Sequence, residues 1–400
     1  MKVLHVTFSE SGGAGMVAKS LSQGLIDCGV DSKIVSITHS GIPNLVFSNP
    51  ILVVKALFDY FIVRRSVENS LFTLFRKGTS QKVRKLIPKF DLVHLHWISG
   101  AMNYEDIVDI SDDQIKVVWT LHDMWPFTGG CHHSHDCKNY EINCKECPQV
   151  RPIFYRSVES ALANKVITIR GNQNLAVVAP SRWLAGRAMK SQVFNNSEVY
   201  VIPNSVDEKV FRPGDRRESR KRIGIDDSAF VVGCSAKNLH DRQKNIIEIV
   251  LLLEEFVKEH DVLEVVLIAI GGGQLESNLI KILHPGFVDS SEVCANLYQA
   301  MDVFVSLSLA ENLPLTLIEA SSSGVPIICL DRGGMAEVVI DQVSGFVISE
   351  SQDFKTVLYK IIYDEHLRSS MAANARIRAL DLFSSNAVAN QYKSIYESLM

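Results

Sequence analysis

The sequence lacks a long hydrophobic run. No uncharged apolar segment of its 400 residues reaches the roughly 18 residues that a membrane span needs. The first eight residues are apolar over too short a stretch for a signal peptide, and no small-residue cleavage site follows them. We therefore expect a cytoplasmic protein, in which the eight cysteines stay reduced.

A strong charge of either sign is also missing. The formal net charge is -4 and the pI is near 6.3. Nucleic-acid-binding domains usually carry a basic excess, so we expect no nucleic-acid partner. Apolar residues make up 46% of the chain, which is typical of a folded globular protein. Because 400 residues exceed what one hydrophobic core usually holds, we expect two domains.

Short apolar runs rich in Val and Ile alternate with segments of helical period. Strands that are apolar on both faces and separated by helices predict parallel sheets. Two such series, separated by a charged linker at 207–227, predict an α/β fold of two doubly wound, Rossmann-like domains. The predicted strands are 2–8, 33–37, 91–96, 115–120, 176–179, 198–202, 229–233, 264–270, 302–306 and 326–330.

The predicted domain boundaries follow this pattern. The N-terminal domain covers residues 1–200 and the C-terminal domain covers 201–383. A last helix, at about 384–400, is expected to cross back to the first domain. Ligands of such sheets bind at the carboxyl ends of the strands, so the loops there should carry the chemistry.

A glycine-rich segment follows the first predicted strand. Its glycines satisfy a lax dinucleotide fingerprint, but Thr38-His39-Ser40 stands where an acidic residue is expected, which disfavours nicotinamide binding. Two interpretations remain: free amides that receive a phosphate or a sugar, or a tight strand-to-helix turn. The candidate residues are Gly12, Gly13, Ala14 and Gly15.

Histidines stand near two other predicted strand ends. His122, followed by Asp123, is well placed to handle a proton or to hold a hydroxyl group. His94 and His96 alternate along an earlier strand, and we expect them to pack or to fix a loop.

Half of the cysteines fall within 17 residues. One pair has the Cys-x-x-Cys spacing, and all four could supply tetrahedral ligands to a structural zinc ion. Because the spacing of the first pair is loose, reduced thiols that merely pack the loop are the alternative. The four residues are Cys131, Cys137, Cys144 and Cys147.

Two segments are rich in cations. Residues 55–89 contain nine Lys or Arg and two acids among many apolar residues, as in a helix that lies on an anionic membrane surface. An amphipathic helix that covers the sheet would look the same.

The loop at 235–245 carries three cations that could neutralise a diphosphate, although solvated loop cations are equally compatible with the pattern.

Two glutamates stand eight positions apart in the apolar stretch 306–326. Glu311 ends a strand-to-helix loop, Pro314 is expected in the first turn of the helix, and Glu319 lies farther inside it. Carboxylates in such surroundings are costly unless they accept hydrogen bonds, so we expect them to hold a ligand rich in hydroxyls. A sugar nucleotide has hydroxyl groups at both ends.

These residues resemble a known family. Glu311 and Glu319 match the E-x7-E motif of the retaining glycosyltransferases of family 4, which have the GT-B fold with an inter-domain cleft. The run from Gly324 to Phe346 is similar to the C-terminal run of that family. The loop that begins with His122 is similar to a subgroup from bacterial surface-polysaccharide clusters, including the colanic acid enzymes.

The resemblance implies roles for the motif residues. Catalysis would involve Glu311, Lys244 and His122, and Glu319 would bind the ribose of the donor. The glycine loop and Asp123 would serve the acceptor side or a phosphate. The family's lysine is usually followed by glycine, whereas this chain has Asn245. Further implied donor contacts are Arg242, Asn312, Leu313, Pro314 and Leu315.

The resemblance also implies partners. The donor would be a UDP- or GDP-sugar, and the acceptor a lipid-linked oligosaccharide at the inner face of the plasma membrane. No Asp-x-Asp motif occurs, which fits catalysis without a cofactor because cations replace magnesium at the leaving group. A nucleotide-sugar epimerase of similar fold and a non-catalytic sugar-nucleotide-binding protein remain as alternatives.

Overall fold

The computed structural model describes residues 1–36, 62–63, 71–74, 81–99, 102, 104–112, 115–260 and 264–400. The chain forms two compact units: unit 1 contains residues 1–203 and 388–400, and unit 2 contains residues 204–387. Thr38-His39-Ser40, the end of the predicted strand 33–37 and most of the basic stretch 55–89 lie outside the described residues. Within the described ranges, no helix combines the length and the apolarity that crossing a bilayer requires.

Unit 1 contains a sheet of six parallel strands in the order β2-β1-β3-β4-β5-β6. The middle strands are buried on both faces, as the apolar runs predicted. The strands are β1 (Lys2–Thr7), β2 (Asp31–Ser36), β3 (Leu92–Leu95), β4 (Lys116–Thr120), β5 (Leu175–Ala179) and β6 (Val199–Val201).

Helices flank this sheet. Val17, Leu21 and Leu25 recur every four residues along the first helix and are all buried, so one helical face packs against the sheet. The helices are α1 (Gly13–Asp27), α2 (Gln81–Leu86), α3 (Tyr104–Asp112), α4 (Tyr155–Ile169) and α5 (Arg182–Lys190).

Unit 2 contains a second sheet of six parallel strands, in the order β12-β11-β10-β7-β8-β9. Its strands are β7 (Phe230–Asn238), β8 (Val265–Gly272), β9 (Lys281–Gly286), β10 (Val303–Ser306), β11 (Ile327–Leu330) and β12 (Gly345–Ile348). Its helices are α6 (Arg216–Ile223), α7 (Ile246–Glu259), α8 (Ser291–Ala300), α9 (Leu315–Ser322), α10 (Phe354–Tyr363) and α11 (Glu365–Phe383). The predicted fold of two doubly wound α/β sheets is confirmed.

The last helix, α12 (Ser385–Leu399), belongs to unit 1 from Val388 onward. Tyr396 Oη lies 2.6 Å from His94 Nδ1, and Tyr392 Oη lies 2.9 Å from Thr120 Oγ1. His94 Nε2 in turn lies 2.7 Å from the same Thr120 hydroxyl. Both ring nitrogens of His94 thus have buried hydrogen-bond partners, so His94 is a structural residue of β3.

The prediction of a charged linker at 207–227 is wrong. The segment contains α6, and Arg220 is buried there with its guanidinium 2.6 Å from the carboxylate of Asp302. Arg220 Nε also donates to the carbonyl of Ala300 at 3.0 Å. The charges of this segment therefore include a buried ion pair that is part of unit 2.

Candidate active site

Unit 2 brings Lys244 and Glu311 together. Lys244 lies in the loop after β7 and Glu311 in the loop after β10, and these two strands are neighbours in the sheet. Lys244 Nζ donates a hydrogen bond to Glu311 Oε1, and the two side chains are 30% and 15% exposed. Open α/β sheets bind ligands beyond the carboxyl ends of their strands. This accessible ion pair is therefore the first candidate for a ligand site.

Gln243 connects the loop after β7 to the loop after β10 by hydrogen bonds. Its side-chain Nε2 donates to the carbonyl of Ala310 at 2.9 Å, and its own carbonyl accepts from the amide of Leu309 at 2.9 Å. Sequence reasoning missed Gln243, because a contact between residues 67 positions apart leaves no local pattern. The placement of Lys244 beside Glu311 thus depends on the residue that precedes the lysine.

Asn245 adopts a left-handed backbone conformation, with φ at 54°, directly before α7. Asn enters this region more readily than most residues other than Gly. Asn245 can therefore occupy the position where the resembling family has glycine without redirecting the backbone.

Gly333 and Gly334 pack closely against the main chain of Glu311. The amide of Gly334 donates to the carbonyl of Glu311 at 3.0 Å. Gly333 has φ at 65°, and a Cβ atom there would lie 1.8 Å from the same carbonyl oxygen. Only glycine fits this close approach, so the turn after β11 positions the glutamate.

Glu319 is buried in α9, with 8% exposure. Its Oε2 accepts a hydrogen bond of 2.9 Å from the hydroxyl of Tyr298, which is itself fully buried in α8. Burial raises the pKa of Glu319 to about 7, and the Tyr298 bond offsets part of that rise. Near neutral pH the carboxyl is therefore partly protonated. Tyr298 was not predicted, because its contact with Glu319 joins two different helices.

Leu313, a predicted donor contact, belongs to the core of unit 2. Its side chain is 4% exposed, and its carbonyl accepts a hydrogen bond from Asn204 Nδ2 at 2.8 Å. Any contact of Leu313 with a ligand would therefore use its main chain.

The other predicted donor contacts border the ion pair in sequence. Pro314 precedes the first residue of α9 instead of lying in its first turn, which leaves Glu319 as the fifth residue of that helix. Asn312, Pro314 and Leu315 are half-buried, whereas Arg242 is exposed. Arg242 is therefore close to Lys244 in the chain, and Asn312, Pro314 and Leu315 are close to Glu311, in the loops at the same edge of the sheet.

The glycine loop of unit 1 is a compact turn between β1 and α1. Gly12 has φ at 83° directly before the helix, and its carbonyl accepts from the amide of Met16 at 2.9 Å. A Cβ atom on Gly15 would lie 2.5 Å from the backbone of Ser9 and Glu10, whereas Gly13 has open space. The turn interpretation accounts for Gly12 and Gly15, whereas Gly13 is exposed and Ala14 half-buried, so neither of these two is required by the turn.

Asp123 follows β4 and accepts a hydrogen bond from Trp97, which follows β3. One carboxylate oxygen accepts from the Trp97 indole and from His132 Nδ1, each at 2.6 Å, and the other accepts from the Trp125 amide at 2.8 Å. Burial by itself would raise the pKa of Asp123, but His132 and these three hydrogen bonds outweigh it and lower the pKa. The carboxylate is therefore a half-buried anion that organises the loop around His122.

A row of imidazoles runs inward from His122. His122 Nε2 lies 3.1 Å from His96 Nδ1, and His96 Nε2 lies 2.9 Å from His5 Nδ1. Burial lowers the pKa of His122 to about 4 and that of His5 to about 3, and it also lowers the pKa of His96. His122 is therefore a neutral imidazole near pH 7.

Solved structures share this architecture over the whole chain. The Anabaena protein Alr3699/HepE, in complex with UDP and glucose, aligns with a TM-score of 0.64 and 17% identity, covering 100% of each chain. Sucrose-phosphate synthase from Thermosynechococcus elongatus aligns with a TM-score of 0.67 and 16% identity, covering 100% of this chain and 99% of that one. The two parallel sheets therefore form the GT-B fold of glycosyltransferases.

The sequence itself places the chain within this class. Family models match as Glycosyltransferase Family 4 over residues 11–210 and as Glycosyl transferases group 1 over residues 215–378. The chain belongs to Glycosyltransferase Family 4, and the predicted resemblance is confirmed. One relative is the putative colanic acid biosynthesis glycosyl transferase WcaC of Escherichia coli K12, 23% identical over 416 aligned residues that cover 99% of this chain and 98% of the relative.

Proposed function

We propose that this glycosyltransferase moves a sugar, with retention of its anomeric configuration, from a UDP- or GDP-sugar to a lipid-linked glycan in bacterial surface-polysaccharide synthesis. The accessible pair of Lys244 and Glu311 carries this proposal, together with the buried Glu319 that follows Glu311 by eight residues. The UDP complex of HepE supports the donor class, and the colanic acid relative supports the product class.

Lys244 would act on the donor diphosphate. Without a donor its ammonium group is held by Glu311. Donor binding would exchange that carboxylate for diphosphate oxygens, and the ammonium would then stabilise the negative charge that develops as the diphosphate leaves. Arg242, exposed two positions earlier, would add a second cation with a planar fork of donors.

The two glutamates would bind the two ends of the donor. Glu311, released from Lys244, would accept hydrogen bonds from hydroxyls of the transferred sugar. Glu319 would bind the ribose hydroxyls, and these bonds would replace part of the solvation that its carboxylate loses on burial. Asn312 to Leu315 would add main-chain and side-chain contacts.

The acceptor hydroxyl would attack on the face from which the diphosphate departs. The bond from the anomeric carbon to the phosphate oxygen breaks, a bond to the acceptor oxygen forms, and the acceptor proton passes to the departing diphosphate. His122, neutral near pH 7, would hold the acceptor hydroxyl, and Asp123 with the glycine loop would shape that side. Retention follows from attack and departure on the same face.

A donor should stabilise the purified protein against heat. We expect one of UDP-, GDP-, ADP- or dTDP-sugars to raise the unfolding temperature by several degrees, because a ligand at 100 times its Kd adds about 2.7 kcal/mol of stability. The measurement is a thermal-shift screen of the wild type, of Glu319→Ala and of the exposed control Glu365→Ala. A shift lost only in Glu319→Ala supports the ribose role. Absence of any shift in the wild type would contradict the donor proposal.

The lipid-linked acceptor adds an expected membrane contact through residues 55–89. Arg84 of this stretch pairs with Asp106 and Asp109, so the other cations would have to meet the lipid. We expect the protein to co-sediment with vesicles of anionic phospholipid at low salt and not with vesicles of neutral phospholipid. Equal sedimentation with both kinds of vesicle would refute an electrostatic membrane contact.

A further inference from the structure

The four loop cysteines gather around one small cavity. Its volume is ≈ 10 Å³, about the room that a single water-sized particle needs. The remaining walls come from residues without a carboxylate or an imidazole: Ser134, Asn139, Tyr140, Pro148 and Gln149. Three of the thiols are buried, and that of Cys137 is half-buried. None of the four forms a disulfide in the described part of the chain, so this is a set of soft sulfur donors around a space of ionic size.

The backbone of the Cys-x-x-Cys turn is strained. Cys144 and Glu146 both have φ at 55°, in the left-handed region that non-glycine residues seldom enter. Such a conformation persists where surrounding contacts hold it. The amide of Gly129 donates to Cys144 Sγ at 3.2 Å, a hydrogen bond that is stronger when the sulfur is an anion. Both features are expected of a turn that presents a thiolate to a metal.

A buried lysine lies near the same loop. Lys165 is 1% exposed, and its amino group donates to the carbonyls of Trp125 and Thr128. Thr128 adjoins Gly129, whose amide donates to Cys144 Sγ, and in the described part of the chain Lys165 forms no ion pair with a carboxylate. Four thiolates around a doubly charged cation would leave two negative charges. That excess would supply the counter-charge for a buried ammonium group.

The histidine cluster is a weaker candidate for a metal. Among the described residues, the one group of three potential ligands whose atoms lie within 4.8 Å of one another is His5, His94 and His96. Their nitrogens already bond to each other, to His122 or to buried hydroxyls, apart from one nitrogen of His5. A metal there would break this network. No three sulfurs of the described cysteines lie that close, so the four cysteines that line the cavity would have to turn their side chains inward to bind an ion.

We propose a structural zinc site formed by the four loop cysteines, Cys131, Cys137, Cys144 and Cys147. A tetrahedral set of four thiolates at about 2.3 Å is the ligand set that zinc prefers in closed structural sites. His132 follows one of these ligands and bonds to Asp123, so the ion would fasten the loop that positions His122. The metal content of the protein is independent of the proposed reaction, so each can fail without the other.

The test is elemental analysis of the untagged, full-length protein, purified without chelators. We expect about one zinc ion per chain in the wild type and in the control Cys28→Ser, which changes a half-buried cysteine outside the loop. The Cys137→Ser variant should lose most of its zinc on dialysis against a chelator. Wild-type protein without zinc, or an unchanged zinc content in Cys137→Ser, would overturn the proposal.

A second measurement needs no variant and guards against misfolding. A mercurial reagent that reacts with thiols should release the zinc from the wild type, and a colorimetric indicator should detect it. In the native protein a disulfide reagent should leave the four loop thiols unmodified until the metal is released. If all four thiols reacted at once in zinc-containing protein, the ion would lie elsewhere and the assignment would be wrong.

Discussion

Replacing Lys244 with alanine should lower kcat by about 10²–10³-fold while the protein stays folded. The ammonium group is the charge that we assign to the departing diphosphate, and removing one preorganised charge stabiliser typically has an effect of this size. The loss of stability should be small, because a partly exposed ion pair contributes at most about 1 kcal/mol. The measurement is transfer of labelled sugar, from the donor found by thermal shift, to a bacterial lipid extract.

The matched control is Lys258→Ala, which removes an exposed lysine near the end of α7 and should leave kcat unchanged. Glu311→Gln should also lower kcat strongly, since it keeps the shape of the side chain but removes the charge. Because the two residues act as a pair, the double variant should be little worse than the worse single variant. Full activity in either single variant would remove that residue from the mechanism.

The wild type should lose roughly 3 kcal/mol of stability relative to Glu319→Gln as the pH rises from about 4.5 to 7. The folded protein holds the Glu319 proton up to about pH 7, whereas the unfolded chain releases it near the ordinary value of 4.5. In this range the folded state binds more protons, so raising the pH favours unfolding. Glutamine does not titrate and removes this dependence.

The comparison with Glu319→Gln is essential, because other groups titrate in the opposite direction. Burial lowers the pKa values of His5 and His122, so their contribution to stability increases with pH. The measurement is denaturant unfolding of both proteins at pH 5 and pH 8. Tyr298→Phe is a second check: without its hydrogen bond the Glu319 pKa should rise further. Parallel pH profiles for the wild type and Glu319→Gln would show that Glu319 has an ordinary pKa.

The sequence predicted the elements that have a regular pattern. Buried parallel strands appear as apolar runs, and ten of them were placed within a few residues. β9 and β12 were missed: β9 includes Lys281 and Pro285 and has no fully buried residue, and β12 offers only three apolar residues after a glycine. β9 thus lacks the two-sided burial that makes the other strands of its sheet recognisable.

The candidate site was predictable where a residue conflicts with its surroundings. Glu311 and Glu319 stand out because carboxylates are costly among Leu, Pro and Ile. Gln243 and Tyr298 have no such conflict, since a glutamine in a loop and a tyrosine in a helix are ordinary. Their importance comes from contacts with residues distant in sequence, which only the folded chain brings together.

The positions of the ring hydrogens on His5, His96 and His122 are coupled to one another. Each neutral ring carries one N–H hydrogen, so in a chain of hydrogen bonds all three hydrogens must point in the same direction along the row. His5 Nε2 is buried and meets no hydrogen-bond partner among the described residues. With a hydrogen on His5 Nδ1 the row donates outward through His96 and His122 keeps its hydrogen on Nδ1, whereas with a hydrogen on His5 Nε2 the row donates inward and His122 Nε2 is the donor. The hydrogen position on a buried residue of β1 is thus coupled to the hydrogen-bonding face that His122 offers to its surroundings.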